Sequence, residues 1–212
     1  VFLTADHGAT HAVNFNKAHN LPAGFWRQGD FKNRINQMLE KKFKADNLVL
    51  SVSEYQVNFN IPKIESKNLD LEDIKQQTVG MLRKDPSVLF AVDMDHINDV
   101  PIPEVIKTKI INGYNYKRSG KVIAIPISGW LQAQPTGTSH GEWNPDDTHI
   151  PLIVMGWHIK PGAGYGDIHT TDIAPTVSSL LHIQMPNGSI GQPISAIVNA
   201  AGITVPAKKA KR

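Results

Sequence analysis

The sequence predicts an α/β protein whose sheet-and-helix core is interrupted by an inserted α+β lobe. Apolar runs with the character of strands stand near both ends of the chain, at residues 1–4 and 150–155. Between them, residues 46–127 follow a separate order of two strands, a helix, a strand, a helix and a strand. Loops that contain aspartate and histidine flank this middle region on both sides, which indicates that it is an insertion.

Residues 1–45 are predicted to form the first segment of the core. The run Val1-Phe2-Leu3-Thr4 is typical of a buried strand, and the loop Asp6-His7-Gly8 follows it. A turn at Leu21-Pro22-Ala23-Gly24 then precedes an amphipathic helix. The apolar side chains of that helix recur at helical spacing on one face: Phe31, Ile35, Met38, Leu39 and Phe43.

Residues 46–127 are predicted to fold as a ferredoxin-like lobe. Alternating and apolar runs predict its strands at 48–52, 55–61, 88–92 and 122–127. Helical periods predict its helices at 70–83 and at 103–111, the second opened by a proline. The order ββαβαβ predicts a four-stranded antiparallel sheet with both helices on one face.

Residues 128–203 are predicted to form the second segment of the core. A strand at 150–155 leads through the turn Lys160-Pro161-Gly162 to a helix at 172–181. Thr171 is the expected N-cap of that helix because its hydroxyl can accept from a free backbone N–H. Residues 204–212 are predicted to be a basic tail.

Composition argues against several classes of partner. Hydrophobic residues make up 41% of the chain and charged residues 19%, which is typical of a globular protein. The net charge of +3 comes mainly from Lys208, Lys209, Lys211 and Arg212, so the body is close to neutral. We therefore expect it to bind neither nucleic acid nor a membrane surface. The chain has no cysteine, which excludes disulfides and thiolate metal sites.

Two short motifs carry the candidate chemistry. Asp6-His7-Gly8 follows the first predicted strand, and Gly137-Thr138-Ser139-His140-Gly141 precedes the strand at 150–155. Carboxylate and imidazole groups are ligands of zinc. Because the sites of open α/β folds collect at one edge of the sheet, we expect Asp6, His7 and His140 to converge. Each motif alone is common in turns, and three ligands are too few for a complete site, so the chain is predicted to belong to a larger metalloenzyme.

Seven ordered pieces of sequence extend this interpretation over almost the whole chain. They are Thr4-Ala5-Asp6-His7-Gly8-Ala9, Leu21-Pro22-Ala23-Gly24, Asn112-Gly113-Tyr114-Asn115, Lys117-Arg118-Ser119-Gly120, Gly137-Thr138-Ser139-His140-Gly141, Asp147-Thr148-His149-Ile150-Pro151-Leu152 and Asp172-Ile173-Ala174-Pro175-Thr176. In this order they resemble the C-terminal part of the alkaline phosphatase superfamily. The resemblance is to its type I phosphodiesterase/nucleotide pyrophosphatase branch, closest to the phosphate-irrepressible alkaline phosphatases.

The resemblance implies a function and a ligand set. It implies a periplasmic or secreted hydrolase of phosphate monoesters that uses two zinc ions in the intact enzyme. In this family, Asp6 and His7 would bind the zinc ion that also holds a Thr or Ser nucleophile, and His140 would bind the other. One zinc ion activates the hydroxyl, and the other stabilises the leaving oxygen.

The family's nucleophile and its remaining ligands precede the Asp-His loop, and this chain begins five residues before Asp6. We therefore expect residues 1–212 alone to be inactive, with partial or no zinc occupancy. Thr138 and Ser139 are not expected to replace the nucleophile, because they adjoin His140. The expected partners are a phosphate monoester substrate, the missing N-terminal part of the same protein and, through exposed apolar surface, other copies of the chain.

Three alternatives stay open at this level. The parent protein could be a phosphodiesterase or another hydrolase of the superfamily, or a catalytically inactive homologue. The third alternative is a binding module, in which Tyr55 and Phe59 are exposed on the sheet of the lobe and contact RNA or a protein. Acidic residues near this sheet argue against a nucleic-acid face, and burial of both aromatic side chains is the competing expectation.

Overall fold

The computed structural model describes residues 1–132, 136–141, 143–156 and 159–201. The predicted basic tail at 204–212 and His158 lie outside the described residues. The strands are β1 Phe2–Thr4, β2 Gly24–Phe25, β3 Val49–Ser53, β4 Gln56–Phe59, β5 Val88–Asp93, β6 Val122–Pro126, β7 Trp130–Leu131 and β8 Leu152–Val154. The helices are α1 Val13–Ala18, α2 Gln28–Phe43, α3 Ile61–Ser66, α4 Leu71–Leu82, α5 Glu104–Gly113, α6 Pro145–Thr148, α7 Ile173–Leu181 and α8 Ser195–Ala200. Within the described part of the chain, every helix is too short or too polar to cross a membrane.

The chain divides into two compact units, residues 6–150 and residues 1–5 with 151–212. The first of these units contains a four-stranded antiparallel sheet in the order β3-β4-β6-β5. This confirms the predicted sheet, and β6 pairs with β4 and β5 rather than with the first strand of the chain. The boundaries at residues 45 and 127 stay predictions.

The sheet has a core on each of its faces, because alternate residues of a strand point to opposite sides. Val122 and Ala124 of β6 pack into one core with residues of α2 and α4. Ile123 and Ile125 pack into the other core with Ile110 of α5. The prediction that the helices at 70–83 and 103–111 share one face is therefore wrong: α4 and α5 lie on opposite faces.

The helix that shares a face with α4 is α2, which precedes the predicted lobe. Its residues Phe31, Ile35 and Leu39 are buried four residues apart, so they form a continuous stripe toward β3. Lys44 ends the helix in a left-handed conformation. Since α2 buries its stripe in the core of the sheet, we propose that the folded lobe begins before residue 46.

The connection from β3 to β4 explains why the predicted strand at 55–61 is too long. Glu54 and Tyr55 both have positive φ and form a two-residue hairpin turn between Ser53 and Gln56. Tyr55 is 3% exposed, and its ring lies edge-on against Trp26. Phe59 is buried in the same core. Both aromatic side chains are therefore buried, as the competing expectation held, and neither supplies an exposed stacking surface for RNA.

The second unit contains the antiparallel pair β1 and β8, in which Leu3 lies opposite Ile153. The prediction of a strand at 1–4 is confirmed, but its predicted burial is wrong, since Leu3 and Ile153 are more than half exposed. Helix α7 confirms the predicted helix at 172–181. Thr171 is not its N-cap: Asp172 holds that position, and its carboxylate accepts from the backbone N–H of Gln192 at 2.8 Å.

Candidate metal centre

The first histidine loop, residues 6–10, fixes the orientation of the His7 ring. His7 Nδ1 lies 2.6 Å from the carbonyl oxygen of Gly8. A carbonyl oxygen can only accept, so Nδ1 carries a proton, and in the neutral ring the lone pair is then on Nε2. Nε2 lies 3.6 Å from Oδ2 of Asp6, whose side chain is 90% exposed. The loop therefore presents one nitrogen lone pair and one carboxylate oxygen side by side.

The second histidine loop, residues 137–141, brings His140 onto this pair. The rings of His7 and His140 are stacked, with their centroids 3.8 Å apart and their planes at 17°. The predicted convergence of these two histidines is confirmed, although most of the chain separates them. Asp6 belongs to the same group through its contact with His7.

Three hydrogen bonds join the two histidine loops and helix α6. The backbone N–H of Gly8 donates to the carbonyl oxygen of Asp147 at 2.7 Å. The hydroxyl of Thr10 donates to Oδ2 of Asp146 at 2.5 Å, and the hydroxyl of Thr138 donates to the carbonyl oxygen of Thr10. A Cβ on Gly8 would overlap the carbonyl oxygen of Asp146, so this contact requires glycine. The stacked rings are thus held by bonds from both chain segments.

The spacing of Asp6 and His7 is compatible with a shared zinc ion. Ligands bound at about 2.0–2.1 Å to a tetrahedral zinc ion stand about 3.4 Å apart, close to the distance between Asp6 Oδ2 and His7 Nε2. The hydrogen bond from Nδ1 to a backbone carbonyl is the usual way to fix the tautomer of a metal-binding histidine. Among the described residues, Asp6, His7 and His140 do not gather three ligand atoms around one point.

Similarity to known proteins extends over nearly the whole chain. No protein-family model matches it. Over 93% of its length it is 47% identical to the alkaline phosphatase PafA of Elizabethkingia meningoseptica. It is 42% identical over 93% of its length to the alkaline phosphatase PhoV of Synechococcus elongatus. It is also 37% identical over 93% of its length to a protein of Myroides odoratus named calcium-transporting ATPase.

A crystal structure of wild-type alkaline phosphatase PafA superposes on 93% of the chain with a TM-score of 0.88 and 46% identity. The chain is similar to part of an alkaline phosphatase. This confirms the resemblance inferred from the sequence, and the α/β fold class is confirmed with it. The chain spans 36% of the length of each of the three relatives and 38% of the chain in that crystal structure.

A second group of acidic residues and histidine lies on the lobe, between α4 and the end of β5. We call Lys75, Glu72, Asp93, Asp95 and His96 the Lys75 cluster. One ligand atom from each of Glu72, Asp93 and His96 falls within 4.8 Å of the other two, the spacing expected of a metal site. The ammonium group of Lys75, however, lies 2.7 Å from Glu72, 3.0 Å from Asp93 and 2.6 Å from Asp95. A buried protein cation thus already neutralises these carboxylates.

The electrostatics of the Lys75 cluster agree with its geometry. Burial lowers the pKa of Lys75, but hydrogen bonds to Asp95, Glu72 and Asp93 outweigh it and raise that pKa above its usual value. The hydrogen bond from Lys75 lowers the pKa of Asp95. The pKa of His96 is raised by the hydrogen bond of its ring to Asp93 and, to a smaller extent, by the charge of Glu72. The cluster is therefore a network of charged groups that satisfy one another.

An open groove on the lobe does not include the histidine loops. It has a volume of about 570 Å³ and is lined by side chains of α2 and α4, among them Met38, Lys41 and Met81. None of Asp6, His7 or His140 lines it. The candidate centre is thus a set of exposed groups on loops and not an enclosed cavity.

Sequence reasoning identified the candidate ligands and missed the residues that hold them. Thr10 and Asp146 carry no pattern in the sequence that marks them as partners. The one available signal was position, since Thr10 follows the Asp-His pair and Asp146 precedes the Asp147-Thr148-His149 piece. His149 ends helix α6 and is exposed.

Proposed function

We propose that the chain is the C-terminal part of a di-zinc phosphate monoester hydrolase, an alkaline phosphatase-type enzyme. The observation that carries this proposal is the stacking of His7 on His140 beside the Asp6 carboxylate. The two relatives named alkaline phosphatases, PafA and PhoV, support the class of reaction. Because the chain spans 36% of their length, the activity belongs to a longer protein.

In this proposal, Asp6 and His7 hold one zinc ion and His140 holds the other. Asp6 offers Oδ2 and His7 offers Nε2, while the Gly8 carbonyl keeps the His7 ring in its tautomer. Bound divalent ions polarise phosphoryl oxygens and lower the pKa of a bound hydroxyl or water. The task of these three side chains is therefore to fix two charges close enough together to face one phosphoryl group.

The nucleophile in this proposal is a Thr or Ser outside residues 1–212. The two hydroxyls beside His140 are poor candidates. The Thr138 hydroxyl donates to the Thr10 carbonyl, which engages it in holding the loop. The Ser139 hydroxyl faces the carbonyl oxygen of His140, its neighbour in the chain, at 3.5 Å. Neither arrangement presents an activated oxygen in line with a substrate.

The proposed partners follow from the same assignment. They are a phosphate monoester, the N-terminal part of the same protein and, for the isolated chain, further copies of itself. Exposed apolar side chains on the β1–β8 pair, such as Leu3 and Ile153, favour such contacts. The proposed location, periplasmic or secreted, rests on the family resemblance alone.

The direct test uses the longer protein that contains these residues, with zinc and p-nitrophenyl phosphate at alkaline pH. We expect hydrolysis, and a fall of about 100-fold or more in kcat/KM for His7→Ala or His140→Ala, since loss of even an outer partner of a ligand costs about 10–100-fold. His19→Ala is the matched control, because this exposed histidine lies on Phe15 and outside the centre. Undiminished turnover in His7→Ala would contradict the proposal.

A second test separates the chain from the parent. Residues 1–212 alone, with saturating zinc, should not hydrolyse p-nitrophenyl phosphate and should bind zinc loosely. The reason is that two ligands for one ion and one for the other fall short of the three or four that zinc usually has. Turnover that His140→Ala abolishes would show that a nucleophile lies within this chain.

A further inference from the structure

Among the described residues, Thr10 is the one whose hydrogen bonds reach both sides of His140, Thr138 in the second histidine loop and Asp146 in α6. Its backbone carbonyl accepts from the hydroxyl of Thr138, two residues before His140. Its own hydroxyl donates to the carboxylate of Asp146, six residues after His140. Thr10 is 4% exposed and lies three residues after His7. One residue of the first loop thus anchors the segment that carries the other histidine.

We infer that Thr10 is a positioning residue: its hydroxyl sets the distance and the stacking of His140 on His7. The functional meaning of this inference rests on the proposed metal-holding role of the two histidines. Ligands on loops need such partners, because a loop that is not anchored samples many positions and loses metal affinity. Since only the side-chain bond can be removed without altering the backbone, the Thr10–Asp146 contact is the part that a substitution can test.

Two neighbouring contacts act on the flank that follows His140, the flank that the hydroxyl of Thr10 also reaches through Asp146. The bond from Gly8 N–H to the Asp147 carbonyl holds helix α6 to the first loop. Trp143 packs against the apolar core under α5 and so attaches the segment between His140 and α6 to the lobe. Neither contact acts on the side of His140 that Thr138 occupies. The contacts of Thr10 reach both flanks, through its carbonyl on one side and its hydroxyl on the other.

The test compares three variants of the 212-residue chain by NMR of its histidine rings. In the wild type, ring protons of His7 and His140 should show mutual cross-peaks, since the ring centroids are 3.8 Å apart. Thr10→Val keeps the shape of the side chain and removes the hydroxyl, so these cross-peaks should be lost. Thr10→Ser keeps the hydroxyl and should retain them.

The matched control is Thr78→Val in α4. Thr78 is also buried, and its hydroxyl donates to the carbonyl of Ile74 at 2.8 Å. This variant should lose stability as Thr10→Val does and keep the cross-peaks between His7 and His140. Should Thr10→Val fail to fold, Asp146→Ala removes the same hydrogen bond from its exposed partner and is expected to give the same loss. Wild-type cross-peaks in either foldable variant overturn the inference.

Zinc titration of the same proteins provides an independent measurement. Thr10→Val should weaken zinc binding about tenfold or more, whereas Thr10→Ser and Thr78→Val should match the wild type. A wild-type chain that binds no zinc agrees with the partial or absent occupancy expected of residues 1–212 alone, and the ring cross-peaks then decide the role of Thr10 by themselves. The proposed function is decided separately by the activity of the longer protein. Equal affinity in wild type and Thr10→Val would overturn the role of Thr10.

Discussion

The two histidine loops and the Lys75 cluster both contain aspartate and histidine. They differ in whether a protein cation lies between those side chains. In the loops, Asp6 and His7 present an oxygen and a nitrogen toward solvent, and His140 joins them by stacking. In the cluster, Asp93 and His96 face a buried ammonium group that already contacts three carboxylates. Aspartate and histidine in proximity therefore do not define a metal site. A metal site also requires that no protein cation neutralises the group.

The difference also shows how each region is held. The loops are fixed by hydrogen bonds from backbone and hydroxyl groups, such as those of Gly8 and Thr10, so their charged atoms stay available. In the cluster, the charged atoms themselves make the contacts. Lys75 and Asp93 are almost fully buried, and each depends on the other for compensation. The first arrangement is suited to binding and the second to stability.

Removal of the Lys75 ammonium group should have the largest effect on stability and should make the cluster more like the histidine loops. Lys75→Met leaves the buried carboxylate of Asp93 without its partner, and we expect the free energy of unfolding to fall by about 3–5 kcal/mol. The remaining ligand atoms of Glu72, Asp93 and His96 would then resemble a metal site. Added Mn²⁺ should therefore raise the urea midpoint of Lys75→Met and leave that of the wild type unchanged.

Lys42→Met is the matched control for that substitution. Lys42 pairs with Asp73 at 2.9 Å, but both side chains are about 40% exposed. Such a pair contributes about 0–1 kcal/mol, so the variant should stay close to the wild type and should not respond to Mn²⁺. A loss of stability in Lys75→Met as small as in Lys42→Met would show that the Lys75 cluster is not a compensated network.

A substitution of Gly8 tests how the first histidine loop is held. Gly8→Ala places a methyl group against the carbonyl oxygen of Asp146, which must move. We expect a loss of about 1–3 kcal/mol in the free energy of unfolding and weaker contact between the rings of His7 and His140. Urea titration and NMR measure the two effects.

Gly80→Ala provides the opposite control. Gly80 lies within α4, and beyond its chain neighbours and the nearby backbone of that helix no described atom lies within 4 Å of the Cβ that the substitution adds. Alanine favours a helix over glycine by up to about 1 kcal/mol, so this variant should be more stable than the wild type. If Gly8→Ala is also stabilising, the contact between Gly8 and α6 does not hold the first loop.

The periodicity of apolar residues predicted individual helices and strands that bury one side, but it could not predict which of these elements pack against each other. The stripe of Phe31, Ile35 and Leu39 predicted α2, and the apolar run of β6 predicted a strand. No local pattern shows that α2 packs on the same face as α4 while α5 packs on the other. Tyr55 was predicted in a strand because it begins an alternating run, but it lies in the turn with its side chain buried on Trp26.

The candidate site divides in the same way. Asp6, His7 and His140 were predicted from two short motifs that are each common in turns, and the order of the motifs along the chain with the family resemblance made them candidate ligands. Thr10 and Asp146 were not predicted, because a hydrogen bond between distant side chains leaves no trace in a single sequence. The Lys75 cluster was missed for a related reason: His96 gains its meaning only when α4 places Lys75 and Glu72 beside it.

The smallest effect in this comparison should be the pH dependence that His96 adds to the cluster. Asp93, at 3.1 Å from the His96 ring, raises the pKa of His96, and Glu72 adds to this effect from 3.6 Å, while the charge of Lys75 opposes it. A folded pKa above the ordinary value of about 6.5 means that protonated His96 stabilises the folded state. This stabilisation is fully present below that ordinary value and is lost as pH rises through the folded pKa.

Hydrogen bonds to Gln76 and then to Lys75 lower the pKa of Glu72. A hydrogen bond to Lys75 lowers the pKa of Asp95. Both carboxylates therefore stay charged in mild acid. The stability of the wild type relative to His96→Gln should therefore be greater at about pH 5.5 than at about pH 8.5. Urea midpoints at both pH values measure the difference. Glu72→Gln in each background should reduce it, because one of the two carboxylates is then neutral. A wild-type advantage that grows from pH 5.5 to pH 8.5 would mean that the neutral ring, and not the protonated one, makes the favourable contacts in the Lys75 cluster.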